Sequence, residues 1–353
     1  MNPELYERYL QKKAKKLGIS VDELKNGNKP ENSNNQVEQT VNNSAYSVFG
    51  PSKIEDIKRE PMNETNIPKF EDTREDKFAL IGYPLGHSLS KVIHEAGFKS
   101  LGVEATYDIL ETPPDDLVDR IKFLKTHGYK GFNVTIPLKL PVALFVNGVD
   151  KYADIVRAVN TVYIDADKSL MAYNTDVIGF KRAIPKDINL RGKSVGILGT
   201  GGAAHAAFVA LSELGVKNID FFTRNIPNSL NLVDYAREKF SNISFNVYQI
   251  ENIRNLSQYD MLVNATPIGM LGVSGDMMPL ENYAIDSLKQ DAVIYDVIYN
   301  PKKTKLIQSA EKRGLRTITG LDMLIYQAVA AQEIWFGNTP DFKDMKIAAL
   351  EAI

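Results

Sequence analysis

The chain has no cysteine, which excludes disulfides, thiolate nucleophiles and cysteine-ligated metals. Histidine is scarce, with four in 353 residues, so no histidine-rich metal site is expected. An excess of charge is lacking as well. Forty-two Lys and Arg stand against 44 Asp and Glu, a formal net charge of -2, so no nucleic-acid partner is expected on electrostatic grounds. No apolar run reaches the ~20 residues of a membrane span, and the N-terminus shows no signal-peptide apolar core. The expectation is a cytoplasmic protein with no membrane partner. The composition, 44% hydrophobic and 24% charged, is ordinary for a globular chain, and the length calls for two domains and something extra.

The extra piece is residues 1 to 75. Glu4 to Lys25 has the apolar spacing of one or two short helices, and Asn26 to about Asp76 is rich in Asn, Glu, Lys, Ser and Pro. Such a stretch buries too little apolar surface to offset its ordering entropy, so a disordered linker is expected. From Lys77 strands and helices alternate: Phe78–Ile81, Thr106–Leu110 and the Phe132 run as strands, Val92–Gly102 and Leu117–His127 as helices. That order predicts an α/β substrate-side domain over 76–180 with a mainly parallel sheet. A second run, 181–320, has strands at Val195–Leu198, Ile219–Thr223, Phe245–Tyr248, Met261–Asn264, Val293–Asp296 and Arg316–Thr319, and reads as a doubly wound domain. The helix Met323–Trp335 follows, with 321–353 expected to return to the first domain.

Several segments carry chemistry. Gly199-Thr200-Gly201-Gly202-Ala203-Ala204 follows an apolar strand and opens a helix, as the Gly-x-Gly-x-x-Ala dinucleotide turn requires. The first glycine turns the chain, the second admits pyrophosphate, and the small third position lets helix meet strand. The next strand ends Phe222-Thr223-Arg224-Asn225 without a carboxylate for a ribose 2′-hydroxyl. Arg224 suits a 2′-phosphate and Thr223 can add a hydroxyl, so NADP is expected.

Lys139 ends the segment Asn133-Val134-Thr135-Ile136-Pro137-Leu138-Lys139. Alternation puts Asn133 and Thr135 on one strand face, Pro137 stops the strand, and Lys139 follows in the loop. Ser88 and Ser90 can offer paired hydroxyls, and Ser90 is alternatively a helix N-cap. Asp176 likewise reads either as a functional carboxylate or as an N-cap. Asn160, Tyr299 and Gln327 stand in comparable places, each unremarkable alone.

Together these segments resemble the shikimate dehydrogenase family, from Lys77 to the C-terminus. The matching motifs are Gly82-Tyr83-Pro84-Leu85-Gly86-His87-Ser88-Leu89-Ser90, the Asn133–Lys139 segment, Ala158-Val159-Asn160-Thr161 and Asn174-Thr175-Asp176. Asn264-Ala265-Thr266-Pro267-Ile268-Gly269-Met270, Tyr295–Pro301 and Met323-Leu324-Ile325-Tyr326-Gln327 complete them. The resemblance implies NADPH-dependent reduction of 3-dehydroshikimate, a step toward chorismate and the aromatic amino acids. It implies that Ser88, Ser90 and Tyr299 hold the substrate carboxylate. Thr135, Asn160, Asp176 and Gln327 would hold ring hydroxyls, and Lys139 with Asp176 would be catalytic. On the cofactor side it implies Gly199, Gly201, Gly202, Ala203, Thr223, Arg224, Asn264, Thr266, Met270, Val297 and Gly320.

Lys91 and Glu95 depart from the family pattern of proline and Asn or Gln at those positions. The long N-terminal extension has no counterpart in the family's core. Two alternatives stand beside the main reading: an NAD-using quinate/shikimate dehydrogenase, and a non-catalytic NADPH-binding regulator. The resemblance leaves monomer and homodimer both open.

Overall fold

A computed structural model describes residues 76–86 and 88–353. The helical piece at 4–25 and nearly all of the expected linker lie outside the described residues. The described chain forms two six-stranded sheets.

The first sheet starts with β1 (Asp76–Gly82), α1 (Ser90–Leu101), β2 (Ala105–Glu111), α2 (Leu117–Thr126) and β3 (Tyr129–Val134). It continues with β4 (Gly148–Val149), α3 (Lys151–Val156), β5 (Thr161–Ile164) and β6 (Leu170–Tyr173). The strand order is β2-β1-β3-β5-β6-β4. β1 runs parallel to β2 and β3, and β4 runs parallel to β6. The sheet is therefore mainly parallel, as expected, with β5 antiparallel to both neighbours. The connection from β5 to β6 explains the reversal. It is a tight turn closed by Lys168 N donating to Asp165 O at 2.9 Å and Asp165 N donating to Ser169 O at 3.0 Å, too short for a parallel crossover. β4 and α3 had no clear sequence signal, since two residues and six are too few for a periodicity to show.

The second sheet collects β7 (Ser194–Leu198), β8 (Asn218–Thr223), β9 (Ser244–Gln249), β10 (Met261–Asn264), β11 (Val293–Asp296) and β12 (Arg316–Thr319), in the order β12-β11-β10-β7-β8-β9. Every pair is parallel, and the central strands are buried along their length. Continuous apolar runs such as Val195–Leu198 are what a strand covered on both faces needs. The order reverses between β7 and β10, which opens a crevice at their C-terminal ends.

The α4 helix (Thr175–Ala183) leads from the first sheet to the second, α7 (Asn282–Asp286) and α8 (Lys305–Lys312) flank β11 in sequence, and α9 (Gly320–Phe336) crosses α4. A Cβ on Gly179 would lie 2.6 Å from Met323 O, so glycine is what allows that crossing. The α9 helix returns to the first sheet as expected. Trp335 is fully buried, stacks on Phe78 with ring centroids 4.4 Å apart, and donates from Nε1 to Val162 O at 3.1 Å. Truncating a side chain so placed typically costs about 3–5 kcal/mol. The last helix, α10 (Phe342–Glu351), packs Met345 and Ala349 against Leu89 and Ile93. Lys91 and Glu95, the two departures from the family pattern, pair with each other on the exposed face of α1 at 3.4 Å. None of the described helices is long and apolar enough to cross a membrane.

Candidate active site

Lys139 is placed by backbone bonds on both sides. The β3 strand ends at Val134, earlier than the Pro137 stop expected from sequence. Thr135 N then donates to Ile81 O at 2.9 Å, and Lys139 O accepts from Val159 N at 2.8 Å. Its ammonium reaches Asp176 Oδ2 at 2.5 Å. Asp176 lies in the first turn of α4, where the helix dipole favours a carboxylate. It is not the N-cap. That position belongs to Asn174, whose Oδ1 accepts from Asp176 N at 3.1 Å, so both Asp176 carboxylate oxygens remain for other contacts. Oδ1 accepts from Asn160 Nδ2 at 2.8 Å. Side-chain exposures of 25% for Lys139 and 16% for Asp176 leave the pair partly shielded yet reachable from one side.

Asn160 is held by a polar cluster. Its Oδ1 accepts from Thr175 N at 2.7 Å and its Nδ2 also lies 3.0 Å from Thr175 Oγ1. Gln327 enters from α9 with Oε1 3.5 Å from Thr175 Oγ1, while its Nε2 donates to Leu324 O in its own helix. Asn133 differs from expectation. It is only 5% exposed, and its amide is fully engaged. Tyr107 donates to its Oδ1 at 2.7 Å, and its Nδ2 donates to Thr161 Oγ1 at 3.0 Å and Asn160 O at 3.3 Å. Asn133 therefore backs the site, and it does not share an open face with half-buried Thr135.

Ser88 and Ser90 do come together, with Ser88 Oγ donating to Ser90 Oγ at 3.1 Å. Ser90 is not the cap of α1. Leu89 occupies that position without a side-chain bond, and Ser88 Oγ accepts from Ser90 N at 3.2 Å. Tyr299 packs against the apolar cluster of Leu89, Ile93, Leu321 and Ile325. Burial raises its pKa, which keeps the hydroxyl protonated.

The crevice of the second sheet has the form a dinucleotide needs. Gly199, at φ +94°, sits where a Cβ would lie 3.0 Å from Thr266 Cγ2 and 3.2 Å from Ala265 O. Gly201 occupies the cap position of α5 (Gly202–Glu213), and a Cβ there would meet nothing within 4 Å. Open space beside the unpaired N–H groups of a helix's first turn fits a pyrophosphate. Thr223, at the end of β8, accepts from Asn225 N at 3.2 Å, and Ser229 Oγ lies 3.3 Å from its hydroxyl. Arg224 beside it is exposed.

Ser229 escaped sequence reasoning. It lies 3.1 Å from Thr200 Oγ1 and donates to Asn225 O at 3.0 Å, tying the glycine turn to the Arg224 loop. Its only sequence signal is a position one turn after Asn225 in α6 (Ile226–Lys239).

Asn264 is fully buried and shapes the neighbouring loop. Its Oδ1 accepts from Thr266 Oγ1 at 2.7 Å and its Nδ2 donates to Asp296 Oδ1 at 3.0 Å. Burial raises the Asp296 pKa to about 6 despite bonds from Thr304, Ile298 and Asn264. Val297 N donates to Asn264 O at 3.1 Å, and Gly320 N donates to Ile298 O at 3.1 Å. A Cβ on Gly320 would overlap Val297 O, so Gly320 is first a close-packing requirement. Half-buried Met270 closes the same loop, its N donating to Pro267 O at 3.1 Å.

Comparison with known proteins agrees with this geometry. Residues 80–162 match the family model for the shikimate dehydrogenase substrate binding domain, and residues 320–350 match that for the shikimate 5'-dehydrogenase C-terminal domain. The NADP(+) shikimate dehydrogenase of Geobacillus kaustophilus is 34% identical over 281 residues, which is 79% of this chain and 99% of that protein. The shikimate 5-dehydrogenase of Thermus thermophilus, solved with NADP(H) and shikimate, superposes with a TM-score of 0.68 at 31% identity, covering 79% of this chain and 100% of that one. Quinate dehydrogenase from Corynebacterium glutamicum, solved with NAD, superposes with a TM-score of 0.73 at 29% identity, covering 79% and 100%. The chain belongs to the shikimate dehydrogenase family.

Proposed function

We propose that the protein is an NADP-dependent shikimate dehydrogenase, which reversibly reduces 3-dehydroshikimate to shikimate on the route to chorismate and the aromatic amino acids. The observation that carries the reading is the Lys139–Asp176–Asn160 cluster, in a chain 34% identical to an NADP(+) shikimate dehydrogenase across nearly all of that protein.

Residues 76–180 with 321–353 form the substrate side, and 181–320 form the cofactor side. Ser88, Ser90 and Tyr299 hold the substrate carboxylate. Thr135, Asn160, Asp176 and Gln327 hold the ring hydroxyls. Gly199, Gly201, Gly202 and Ala203 cradle the pyrophosphate, with Thr223 and Arg224 at the 2′-phosphate. Thr266, Met270, Val297 and Gly320 line the nicotinamide end, and Asn264 supports them. When bound, NADPH supplies the hydride. Lys139 holds the C3 oxygen of the ring and provides its proton as negative charge develops there, and Asp176 orients both the ammonium and the adjoining hydroxyl. The reading takes the enzyme to be cytoplasmic and monomeric or homodimeric, acting on a small molecule without nucleic acid or membrane.

The test is spectrophotometric NADPH formation from shikimate by the purified protein, run beside quinate and beside NAD. Turnover with the highest kcat/KM for shikimate and NADP is expected. Absence of shikimate turnover would refute the reading. Preference for quinate and NAD would favour the alternative dehydrogenase, against which stand the missing acid and the exposed Arg224 after β8.

A further inference from the structure

One fully buried carboxylate has no part in the roles above. Asp296 ends β11 and is 0% exposed. On one side of it lies the Asn264–Met270 loop, at the nicotinamide end of the proposed site. On the other the chain continues into Val297 and Tyr299, one on the cofactor and one on the substrate carboxylate in that reading.

Three neutral donors meet Asp296. Its Oδ1 accepts from Asn264 Nδ2 at 3.0 Å and from Ile298 N at 3.1 Å, and its Oδ2 accepts from Thr304 Oγ1 at 2.6 Å. Above its raised pKa of about 6 the group is ionised and can only accept, so it decides how each donor is turned. Asn264 must present Nδ2 to it. That leaves Asn264 Oδ1 for Thr266, which donates from N at 3.1 Å and from Oγ1 at 2.7 Å. The Thr304 proton is likewise committed, and its oxygen accepts from Ile307 N at 3.3 Å to cap α8. Gly269 rests on that threonine: a Cβ there would lie 3.4 Å from Thr304 Cβ and Cγ2 and 3.6 Å from Ile298 Cδ1. Backbone bonds join the same two segments, Val297 N donating to Asn264 O at 3.1 Å and Leu271 N to Asn300 O at 3.0 Å. Buried networks of this kind fix orientations because each member lacks a solvent alternative.

We propose that Asp296 is a positioning residue: it holds the nicotinamide loop, through Asn264, against the Val297–Tyr299 turn, through Ile298 N, so that hydride donor and substrate ring stay in register. The assignment rests on the function proposed above. Being fully buried, Asp296 acts through these partners and not on either ligand.

The experiment follows shikimate oxidation by the wild type, Asp296→Ala, Asp296→Asn, Asn264→Ala and the double alanine variant, with kcat expressed per folded enzyme. Asp296→Ala should lower kcat about 10- to 100-fold, the scale of a small misplacement of reacting atoms. KM for NADP should stay within about threefold, because Gly201 and Arg224 still anchor the far end of the dinucleotide. Asp296→Asn should recover kcat to within about fivefold of wild type, since its Oδ1 still accepts from Asn264 and Ile298 while its Nδ2 turns to the Thr304 oxygen. The double variant should be no more than about threefold worse than the worse single variant, because both changes interrupt one link. A lowered unfolding midpoint with kcat unchanged in Asp296→Ala, which a merely structural role would give, overturns the proposal. So does an asparagine variant as impaired as the alanine variant, or fully multiplicative penalties. If Asp296→Ala does not fold, replacing Ile298 by its α-hydroxy acid removes only the N–H that Oδ1 receives. A fall in kcat of about fivefold or more is then expected, and no change overturns the assignment. A wild-type chain without shikimate turnover removes the proposed function and this assignment together, whereas a turning-over wild type with an indifferent Asp296 removes only the latter.

Discussion

Lys139 Nζ lies 2.5 Å from Asp176 Oδ2 although 37 residues separate them in sequence. The lysine hangs in a turn after β3 and the aspartate stands in the first turn of α4, so their meeting depends on how strand and helix are arranged. Each has a second fastening. Val159 N holds the lysine backbone, and Asn160 Nδ2 holds the other carboxylate oxygen. An ammonium at this distance from a carboxylate, with one side open, is set to meet an oxygen on which charge develops.

Lys139→Ala should therefore lower kcat by about 10²- to 10⁴-fold, the usual worth of a positioned acid or base, with the folded state retained. Asp176→Asn should fall in the same direction. Its amide nitrogen must face either Asn160 Nδ2 or Lys139 Nζ, donor against donor in both cases. Steady-state NADPH formation checks both, and near-normal turnover in either variant ends that residue's assignment.

Arg224→Ala should raise KM for NADP about tenfold or more, as expected for losing a charge-assisted bond to phosphate, and leave KM for NAD nearly unchanged. Because Arg224 is exposed, thermal unfolding without cofactor should not move. Parallel titrations with the two dinucleotides decide it. Equal losses for both would mean that Arg224 does not read the 2′-phosphate.

The two glycines of the cofactor turn should fail in different ways. Gly199 has φ +94° and close neighbours at 3.0 and 3.2 Å from a would-be Cβ, so Gly199→Ala should destabilise the fold by about 1–3 kcal/mol. Gly201 has φ -81° and nothing within 4 Å of that position. Gly201→Ala should leave denaturant unfolding unchanged and weaken NADP binding about tenfold, because the methyl takes the space in which a phosphate would sit. Binding unaffected by Gly201→Ala would place the pyrophosphate elsewhere.

His94 supplies a pH test. Burial lowers its pKa from 6.5 to about 3, so between those values the unfolded chain binds the extra proton and the native state does not. Native stability contributed by keeping His94 neutral is thus complete above pH 6.5 and lost as pH falls toward 3. His94→Phe retains a ring against Tyr107 and removes the titration. Relative to wild type, the variant should gain about 1.4 kcal/mol for each pH unit below that upper value. Asp150 and Asp296, whose pKa values burial raises to about 6, act in the opposite sense in both proteins and cancel in the difference. Urea unfolding at several pH values measures it, and a pH-independent difference would contradict a buried neutral His94.

Much of this protein could be read from local sequence. Strand and helix order, the glycine turn, the carboxylate-free end of β8 and the Lys139 segment depend on periodicities of two or 3.6 residues and on backbone constraints set within a few positions. Caps were less legible. Ser90 and Asp176 both carry cap-forming side chains, yet Leu89 and Asn174 occupy the positions, because a cap is decided by where the helix starts, and neighbouring polar residues compete for that place.

By itself the sequence determined the two α/β units and the residue types that could do chemistry, since these follow from patterns a single segment carries. Tertiary structure alone decided which polar groups face a ligand. It turned Asn133 and Asn264 inward, made β5 antiparallel, drew Ser229 to Thr200 and set the Tyr107 hydroxyl on Asn133. The physical reason is that these bonds join groups on separate elements, brought within about 3 Å only by strand pairing and helix crossing. A hydrogen bond's short range makes the choice of partner invisible until that packing exists.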